Sequence, residues 1–378
     1  MKVENLHDST LKATAIVILN YKGVTDTISC IESCLQLIGP VSIIVVDNFS
    51  PDDSIPVLQR WGRERLCVLN AERRQNGRPE VRFIEAGPEL LAPDALPTPE
   101  LHEIHLLGLN VNLGYAHGNN CGIRYAWAGP FAYFWVLNND TEVAPDALAH
   151  LQARFDEDSR IGMCGSKLVY YDRPDRVQNL AGGCYSPLKG RSFAIGMGSL
   201  SSSPCDRANV ERQLSYVSGA SMLVSREMID AVGLMEESYF LFWEEVEWAF
   251  RAKGRFKLGF AQNSIVRHRV GASIGTEDIG KQSLLAEFYM LRNRIRFCRK
   301  YSRCALPFVA ADVARQLGRT VWAGDWNRFR VLCWAVIGWH LYAGRVISPT
   351  QFRSIGGEAQ PSAAHNAPAD ANRASRHA

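Results

Sequence analysis

Three apolar runs frame the chain. Ala15-Ile16-Val17-Ile18-Leu19 is continuous and rich in branched residues, and it stops at Asn20-Tyr21-Lys22-Gly23. Val41-Ser42-Ile43-Ile44-Val45-Val46 stops at Asp47-Asn48, and Tyr133-Phe134-Trp135-Val136-Leu137 stops at Asn138-Asn139-Asp140. Runs of this length without polar alternation predict strands buried on both faces. Between the first two, residues 25–37 carry apolar positions at helical spacing behind Thr25 or Asp26 as N-cap. Strand, helix, strand in that order predicts a right-handed βαβ unit and a parallel sheet. Residues 106–109 predict another strand. The Gly- and Asn-rich loop 112–120 then leads into a helix over 121–128. Polar loops therefore follow apolar strands at their C-terminal ends, the edge where open α/β sheets bind ligands.

The remainder is less regular. Residues 60–105 are rich in Arg, Glu and Pro and read as a surface insertion with one short strand near 81–84. Strands are expected over 168–171, 215–224 and 263–266, turns at Gly182-Gly183 and Gly196 to Gly198, and a long helix over 284–300. From Ser354 the chain is rich in Ala, Pro, Asn, Asp and Ser, and disorder is expected. The expected layout is one α/β domain over 1–304, a helical segment over 305–353 and a tail over 354–378.

Composition narrows the class. The chain has 378 residues, 47% of them hydrophobic, enough to bury a sizeable core. Its net charge of +3 gives no support to a nucleic-acid binder, which usually carries a concentrated basic face. Ten cysteines form no CxxC pair and no zinc-finger spacing; Cys30 and Cys34 sit on one helical face. Scattered thiols among apolar neighbours fit a reducing, cytoplasmic setting. The apolar run near the N-terminus is short and lacks the marks of a secretory signal. No stretch approaches the roughly 18 apolar residues of a membrane span.

Four places carry candidate chemistry. Asp47 after the second strand can accept hydrogen bonds from a base edge or a ribose. Asp140 in Asn138-Asn139-Asp140-Thr141-Glu142 can hold a hard divalent cation, with Glu142 as a helper, because Mg²⁺ and Mn²⁺ favour a few oxygen ligands plus diphosphate oxygens. Glu244-Glu245-Val246-Glu247 follows the aromatic run 239–243. Under aromatic side chains one of these carboxyls could titrate high enough to serve as a general base. His268, at a strand end with basic neighbours, suits a metal or a phosphate. Each residue also has an ordinary role as a turn, a cap or a solvated helix N-terminus.

Their order is more specific than any one of them. The pieces IVILNYKG, VVDNFSPDDS, NLGYAHGNNCGI, LNNDTEV, VSGASMLVSRE, YFLFWEEVEWAFR, HRVGAS and FYMLRNRIRF run in sequence from about Thr14 to Tyr301. In this the chain resembles the family 2 glycosyltransferases, and among them the bacterial rhamnosyltransferase-like group. The resemblance implies a GT-A fold: a Rossmann-like, mostly parallel central sheet flanked by helices, here followed by C-terminal helices. It implies that Asn20 and Tyr21 lie beside the nucleotide base, that Asp47 reads its edge, and that Asn112 and Gly114 line the nucleotide cleft. Asp140 looks like the carboxylate that carries Mg²⁺ or Mn²⁺, in a motif whose other members are Asn138 and Asn139, beside the nucleotide sugar. Glu245 falls where the family has its catalytic Asp, and Glu247 also replaces an Asp. Trp243, Glu244 and Glu247 are expected to contact the acceptor or support the base, and His268 to approach metal and diphosphate.

These roles imply one inverting displacement. The base takes a proton from an acceptor hydroxyl, whose oxygen attacks the anomeric carbon opposite the departing nucleoside diphosphate. The donor implied is dTDP-rhamnose or a UDP-sugar. The acceptor implied is a glycan or a lipid-linked glycan, in cell-surface polysaccharide synthesis. A nucleotidyltransferase needs similar parts but normally shows a basic glycine-rich phosphate loop, which Lys22-Gly23 does not supply. A catalytically silent nucleotide-sugar-binding protein is the other rival. Trp322, Trp326, Trp334 and Trp339 lie among Arg315, Arg319, Arg328, Arg330 and Arg345. Such a mixture suits a lipid headgroup zone, so a peripheral contact with the inner membrane face is expected.

Overall fold

The computed structural model describes residues 11–77, 80–86, 102–269, 283–342 and 345–359. The first half runs β1 (Thr14–Asn20), α1 (Val24–Cys34), β2 (Ser42–Asp47), α2 (Ser54–Gln75), β3 (Val81–Ala86), β4 (His102–Gly108), α3 (Tyr115–Trp127), β5 (Tyr133–Asn138), β6 (Thr141–Val143) and α4 (Ala147–Glu157). It continues through β7 (Ile161–Tyr170), β8 (Val177–Leu180), β9 (Gly182–Ser186), β10 (Arg191–Ala194), α5 (Arg207–Gln213), β11 (Tyr216–Val217), β12 (Ser221–Ser225) and α6 (Arg226–Val232). Then come α7 (Glu244–Ala252), β13 (Lys257–His268), α8 (Leu284–Tyr301), α9 (Leu306–Trp322), α10 (Trp326–Ile337), the hairpin β14 (His340–Tyr342) and β15 (Arg345–Ile347), and α11 (Pro349–Ala359).

A ten-stranded sheet has the order β3-β4-β2-β1-β5-β12-β7-β13-β6, with β8 beside β7. From β3 to β5 all pairs are parallel; β12 is antiparallel to both neighbours. The apolar runs are buried on both faces, as expected. Ile16, Ile18, Ile43, Val45, Trp135 and Leu137 pack toward α1, α2 and α4. Their alternates Val17, Ile44, Val46, Phe134 and Val136 pack toward α3 and α7. The strand period of two divides one apolar run between two cores.

Several boundaries differ from the sequence reading. Within residues 60–105 the described parts are no surface excursion, because α2 packs on the sheet and β3 is its edge strand; residues 78–79 and 87–101 lie outside the described residues. The buried positions Leu58, Gly62, Leu66, Leu69 and Arg73 of α2 recur at helical spacing, but the Arg and Glu residues between them mask the stripe. β4 starts at His102 because its Glu103 side chain is buried with Arg82 and His105 as partners. α3 starts at Tyr115, inside the supposed loop, because Asn120 finds tertiary partners in the Met235 carbonyl and Glu237. Gly182 and Gly183 lie within β9; a Cβ on Gly182 would stand 2.2 Å from the Tyr216 carbonyl, so the pair permits close strand approach and not a turn. α11 carries helix through 354–359, and residues 360–378 lie outside the described residues.

Candidate active site

The donor side forms at the C-terminal ends of β1, β2 and β4. The β1–β2 register sets Asn20 opposite Asp47. Asn20 Nδ2 donates to Asp47 Oδ1 at 2.6 Å, and its Oδ1 accepts from Thr27 Oγ1 at 2.8 Å. Asp47 also accepts from Ser50 Oγ at 2.7 Å and from the Ser50 amide at 2.9 Å. Asn20 and Asp47 are thus buried organisers of the strand ends. Tyr21 is half-buried above them, with the Lys22 ammonium 5.3 Å from its ring. Asn112 Oδ1 accepts from Asn48 Nδ2 and the Gly114 amide, at 3.1 and 2.9 Å. Gly114 has φ of 96°, and a Cβ there would lie 2.1 Å from the Phe240 carbonyl oxygen, to which Tyr115 N donates at 2.6 Å. Only glycine lets the α3 start touch the Phe240 loop.

Asp140 sits in the turn between β5 and β6. β6 pairs antiparallel with the end of β13, with His268 opposite Thr141, and this pairing brings the imidazole to the carboxylate. His268 Nε2 lies 3.1 Å from Asp140 Oδ1, yet that buried oxygen has no hydrogen-bond partner of good geometry. His268 Nδ1 lies 2.8 Å from Gln178 Oε1, an acceptor, so Nδ1 donates there and the neutral imidazole presents the Nε2 lone pair to Asp140. In this tautomer the imidazole lone pair and the carboxylate oxygen face each other, an arrangement that a cation beside them would satisfy. Their spacing matches the roughly 3 Å separating adjacent ligands of an octahedral ion with bonds near 2.1 Å. A divalent metal therefore fits these two side chains. No group of three or more candidate His, Cys, Asp or Glu ligands exists among the described residues, so the remaining positions would fall to substrate and water. Glu142 Oε1 accepts from Tyr171 OH at 3.0 Å and lies 3.7 Å from Arg269 Nη2. Asn139 Nδ2 donates to the Gly23 carbonyl and Thr27 Oγ1, bracing α1, while Asn138 Nδ2 lies 3.4 Å from His268 Nε2.

The third wall is the segment before α7. Phe240, Phe242 and Trp243 have φ of 70°, 66° and 75°, unusual for large side chains. Each such residue costs on the order of 1–3 kcal/mol, and persists only where packing imposes it. Trp243, the N-cap of α7, is buried against Tyr185 and Phe297. Immediately after it the three glutamates separate by environment. Glu244 is buried, and burial followed by the neighbouring Glu245 charge drives its pKa far above the carboxylate range. Glu245 is half-buried, and burial pushes it up to about 7. Glu247 is wholly buried but accepts from Tyr301 OH at 2.6 Å, Arg251 Nε at 2.7 Å and Lys300 Nζ at 2.9 Å; burial opposes ionisation there, yet these partners outweigh it and lower its pKa.

Tyr115 links the walls. Its hydroxyl donates to the Gly219 carbonyl at 2.8 Å, next to Ala220, whose carbonyl accepts from Asn138 N. Burial raises the Tyr115 pKa, and the nearby acidic residues Glu244, Glu245 and Asp140 raise it further. Asp140 and His268 meet where β6 pairs with β13, while Glu244 and Glu245 open α7 after the loop whose Phe240 carbonyl accepts from Tyr115 N. Tyr115, Gln178 and Asn293, whose amide holds the Phe240 loop from α8, were not singled out from the sequence. Asn293 left a signal, a polar residue on the buried face of a long helix; Gln178 left none. Of the HRVGAS piece, residues 270–273 lie outside the described residues.

The mostly parallel sheet flanked by helices, with polar strand ends and a His-Asp pair at the β6–β13 pairing, defines an α/β protein of the GT-A fold. Residues 94–229 match the family model described as glycosyl transferase family 2. The low-salt glycan biosynthesis hexosyltransferase Agl10 of Haloferax volcanii is 26% identical over 269 residues, covering 69% of this chain and 70% of that protein. The solved structure of GalNAc-T7 with UDP, GalNAc and Mn²⁺ aligns with a TM-score of 0.50 at 14% identity, covering 77% of this chain but about half (48%) of that one. A mannosyltransferase from Pyrobaculum calidifontis, in complex with GDP-Man and Mn²⁺, aligns with a TM-score of 0.46 at 12% identity, over 94% of this chain and 85% of that one. The chain thus carries a region similar to glycosyl transferase family 2 over residues 94–229 and is a glycosyltransferase.

Proposed function

We propose that this protein is an inverting, metal-assisted glycosyltransferase that moves a sugar from a nucleoside-diphosphate donor, dTDP-rhamnose or a UDP-sugar, to a hydroxyl of a glycan or lipid-linked glycan in cell-surface polysaccharide synthesis. One observation carries the reading. Two acidic groups have unlike surroundings: Asp140 faces His268 and suits a cation, while burial pushes Glu245 up to about 7. Asp140 and His268 would hold Mg²⁺ or Mn²⁺, which when bound neutralises charge on a departing diphosphate. Glu245 takes the acceptor proton. Burial and the Glu245 charge raise the pKa of the adjacent Glu244, which disfavours a second negative charge beside Glu245. The Asn20–Asp47–Ser50 network and Tyr21 receive the nucleoside.

The names of similar proteins, a glycan-biosynthesis hexosyltransferase and a transferase solved with UDP and Mn²⁺, agree with this assignment. The test is a panel of nucleotide sugars with wild type and Glu245→Gln, reading product anomers by NMR. Transfer with inverted configuration is expected, and in Glu245→Gln turnover falls by on the order of 10²–10⁴ with nucleotide binding kept. Nucleotide-sugar binding without any transfer would instead mark a silent binding protein.

The C-terminal helices support a peripheral seat on the inner face of the cytoplasmic membrane. Trp322 is 91% and Trp326 59% exposed at the α9–α10 elbow, with Arg319 and Arg330 exposed beside them. No helix among the described residues is long and apolar enough to cross a membrane. A surface seat would hold the enzyme near a lipid-linked acceptor.

A further inference from the structure

We infer that Asn293 of α8 is a positioning residue for Glu245, acting through the backbone of the loop 239–243; the inference rests on Glu245 being the base. Asn293 is fully buried. Its Nδ2 lies 2.8 Å from the Tyr239 carbonyl, 2.8 Å from that of Leu241 and 3.0 Å from that of Phe242. Its Oδ1 accepts from Arg292 Nη1 at 2.6 Å. This fixes the amide orientation, because a guanidinium only donates and the three carbonyls only accept.

The loop so held cannot rest in this shape by itself. Phe240, Phe242 and Trp243 all have positive φ, and Trp243 is the N-cap immediately before Glu244-Glu245. Three carbonyls converging on one point repel one another unless a donor sits among them, and the Asn293 amide supplies that donor. Another backbone tie of the loop runs to the start of α3, where Tyr115 N donates to the Phe240 carbonyl. Release at Asn293 therefore frees the start of α7 while leaving the Asn20–Asp47 network and the Asp140–His268 pair untouched. Glu247, three residues beyond Glu244, stays pinned to Arg251, Lys300 and Tyr301, so the helix keeps its place and only its first turn shifts. A shift of about 1 Å at a reacting group is enough to cost on the order of 10²-fold in rate.

The experiment compares Asn293→Ala, Asn293→Ser and Asn293→Asp with Glu245→Gln and the double variant Asn293→Ala/Glu245→Gln. It reads kcat, donor KM and calorimetric affinity for the nucleoside diphosphate. The expected result is a fall in kcat of roughly 10–100-fold for Asn293→Ala, with nucleotide affinity kept within about threefold. Asn293→Ser keeps one donor and should lie between Ala and wild type; Asn293→Asp sets a carboxylate against the carbonyls and should be worst. The double variant should be no slower than Glu245→Gln, since both changes act through one group. Asn293→Ala at wild-type kcat, or a double variant in which the two losses multiply, would overturn the inference. If Asn293→Ala does not fold, the Ser variant with the same cycle decides. Should Glu245→Gln itself remain fully active, the reading of the base fails and not the loop geometry, which nucleotide affinity and kcat of the Asn293 variants still report separately.

Discussion

At the scale of single residues, the cleft works by giving like groups unlike surroundings. Asp140 has an imidazole at 3.1 Å and an oxygen without a hydrogen-bond donor, whereas Glu245 has half-burial and no ion-pair partner among the described residues. Asp140→Asn keeps the shape but removes the charge. Turnover that depends on Mg²⁺ or Mn²⁺ should vanish, EDTA should silence wild type, and nucleoside-diphosphate affinity should weaken in titration calorimetry. Full activity of that variant would refute the ligand role. Glu245 also sets a pH dependence. A base raised to about 7 is protonated and idle below that value, so log kcat/KM should climb with unit slope as pH rises toward 7 and then level. Glu244 and Glu245 titrate as a pair, so the apparent value belongs to both. Residual turnover in Glu245→Gln should lose this acid limb. Asp140, Glu245 and His268 were legible as candidates because acids and histidines at strand and helix ends stand out against apolar runs. Their pairing was not, because β6–β13 register and the turn of α7 come from distant parts of the chain.

At the scale of elements, α7 and α8 act as a unit. Glu247 is ionised in a wholly buried site and receives three donors, two of them from α8. Glu247→Gln should destabilise the fold by about 1–3 kcal/mol in denaturant unfolding, the usual size for a broken buried network whose cations stay partly wet. The folded-state pKa of Glu247 is depressed, so this stabilisation is present at neutral pH and is lost as pH falls through the lowered value. The gap between wild type and variant should therefore close in acid. Equal stability at pH 7 would remove Glu247 as the tie. The sequence showed Glu247 only as one of three similar acids; what sets it apart is the approach of Lys300 and Tyr301 from more than fifty residues away. α2 was obscured differently. Its buried stripe is regular, but Arg and Glu on the other positions hide it from a reading that looks for runs.

At the scale of the molecule, the C-terminal helices do two things. α8 packs with Phe240, Leu241 and Phe242 in one apolar cluster that also holds Val309, Val331 and Leu332 of α9 and α10. The outer side of the same helices exposes Trp322 and Trp326. Five arginines against two aspartates over residues 305–347 leave this segment three positive charges, enough to attract anionic lipid at roughly 1 kcal/mol each near the surface. Full-length protein should co-sediment with anionic vesicles at low salt and be partly released by high salt. Trp322→Ala/Trp326→Ala should lose that binding while retaining nucleotide affinity. Protein that stays in the supernatant at low salt would show that the elbow has no lipid role.

The sequence by itself determined the α/β class, the polar strand ends and the order of motifs that marks family 2. These are local: a strand buried on both faces must be apolar throughout, and a ligand edge must be polar where the strands stop. Only the tertiary structure decided which candidates meet. Asp140 reaches His268 through an antiparallel pairing across more than a hundred residues, and Glu245 is separated from Glu244 and Glu247 by burial and partners that no spacing encodes. Charge state depends on desolvation and on neighbours in space, so it becomes defined only when the chain has closed around the group.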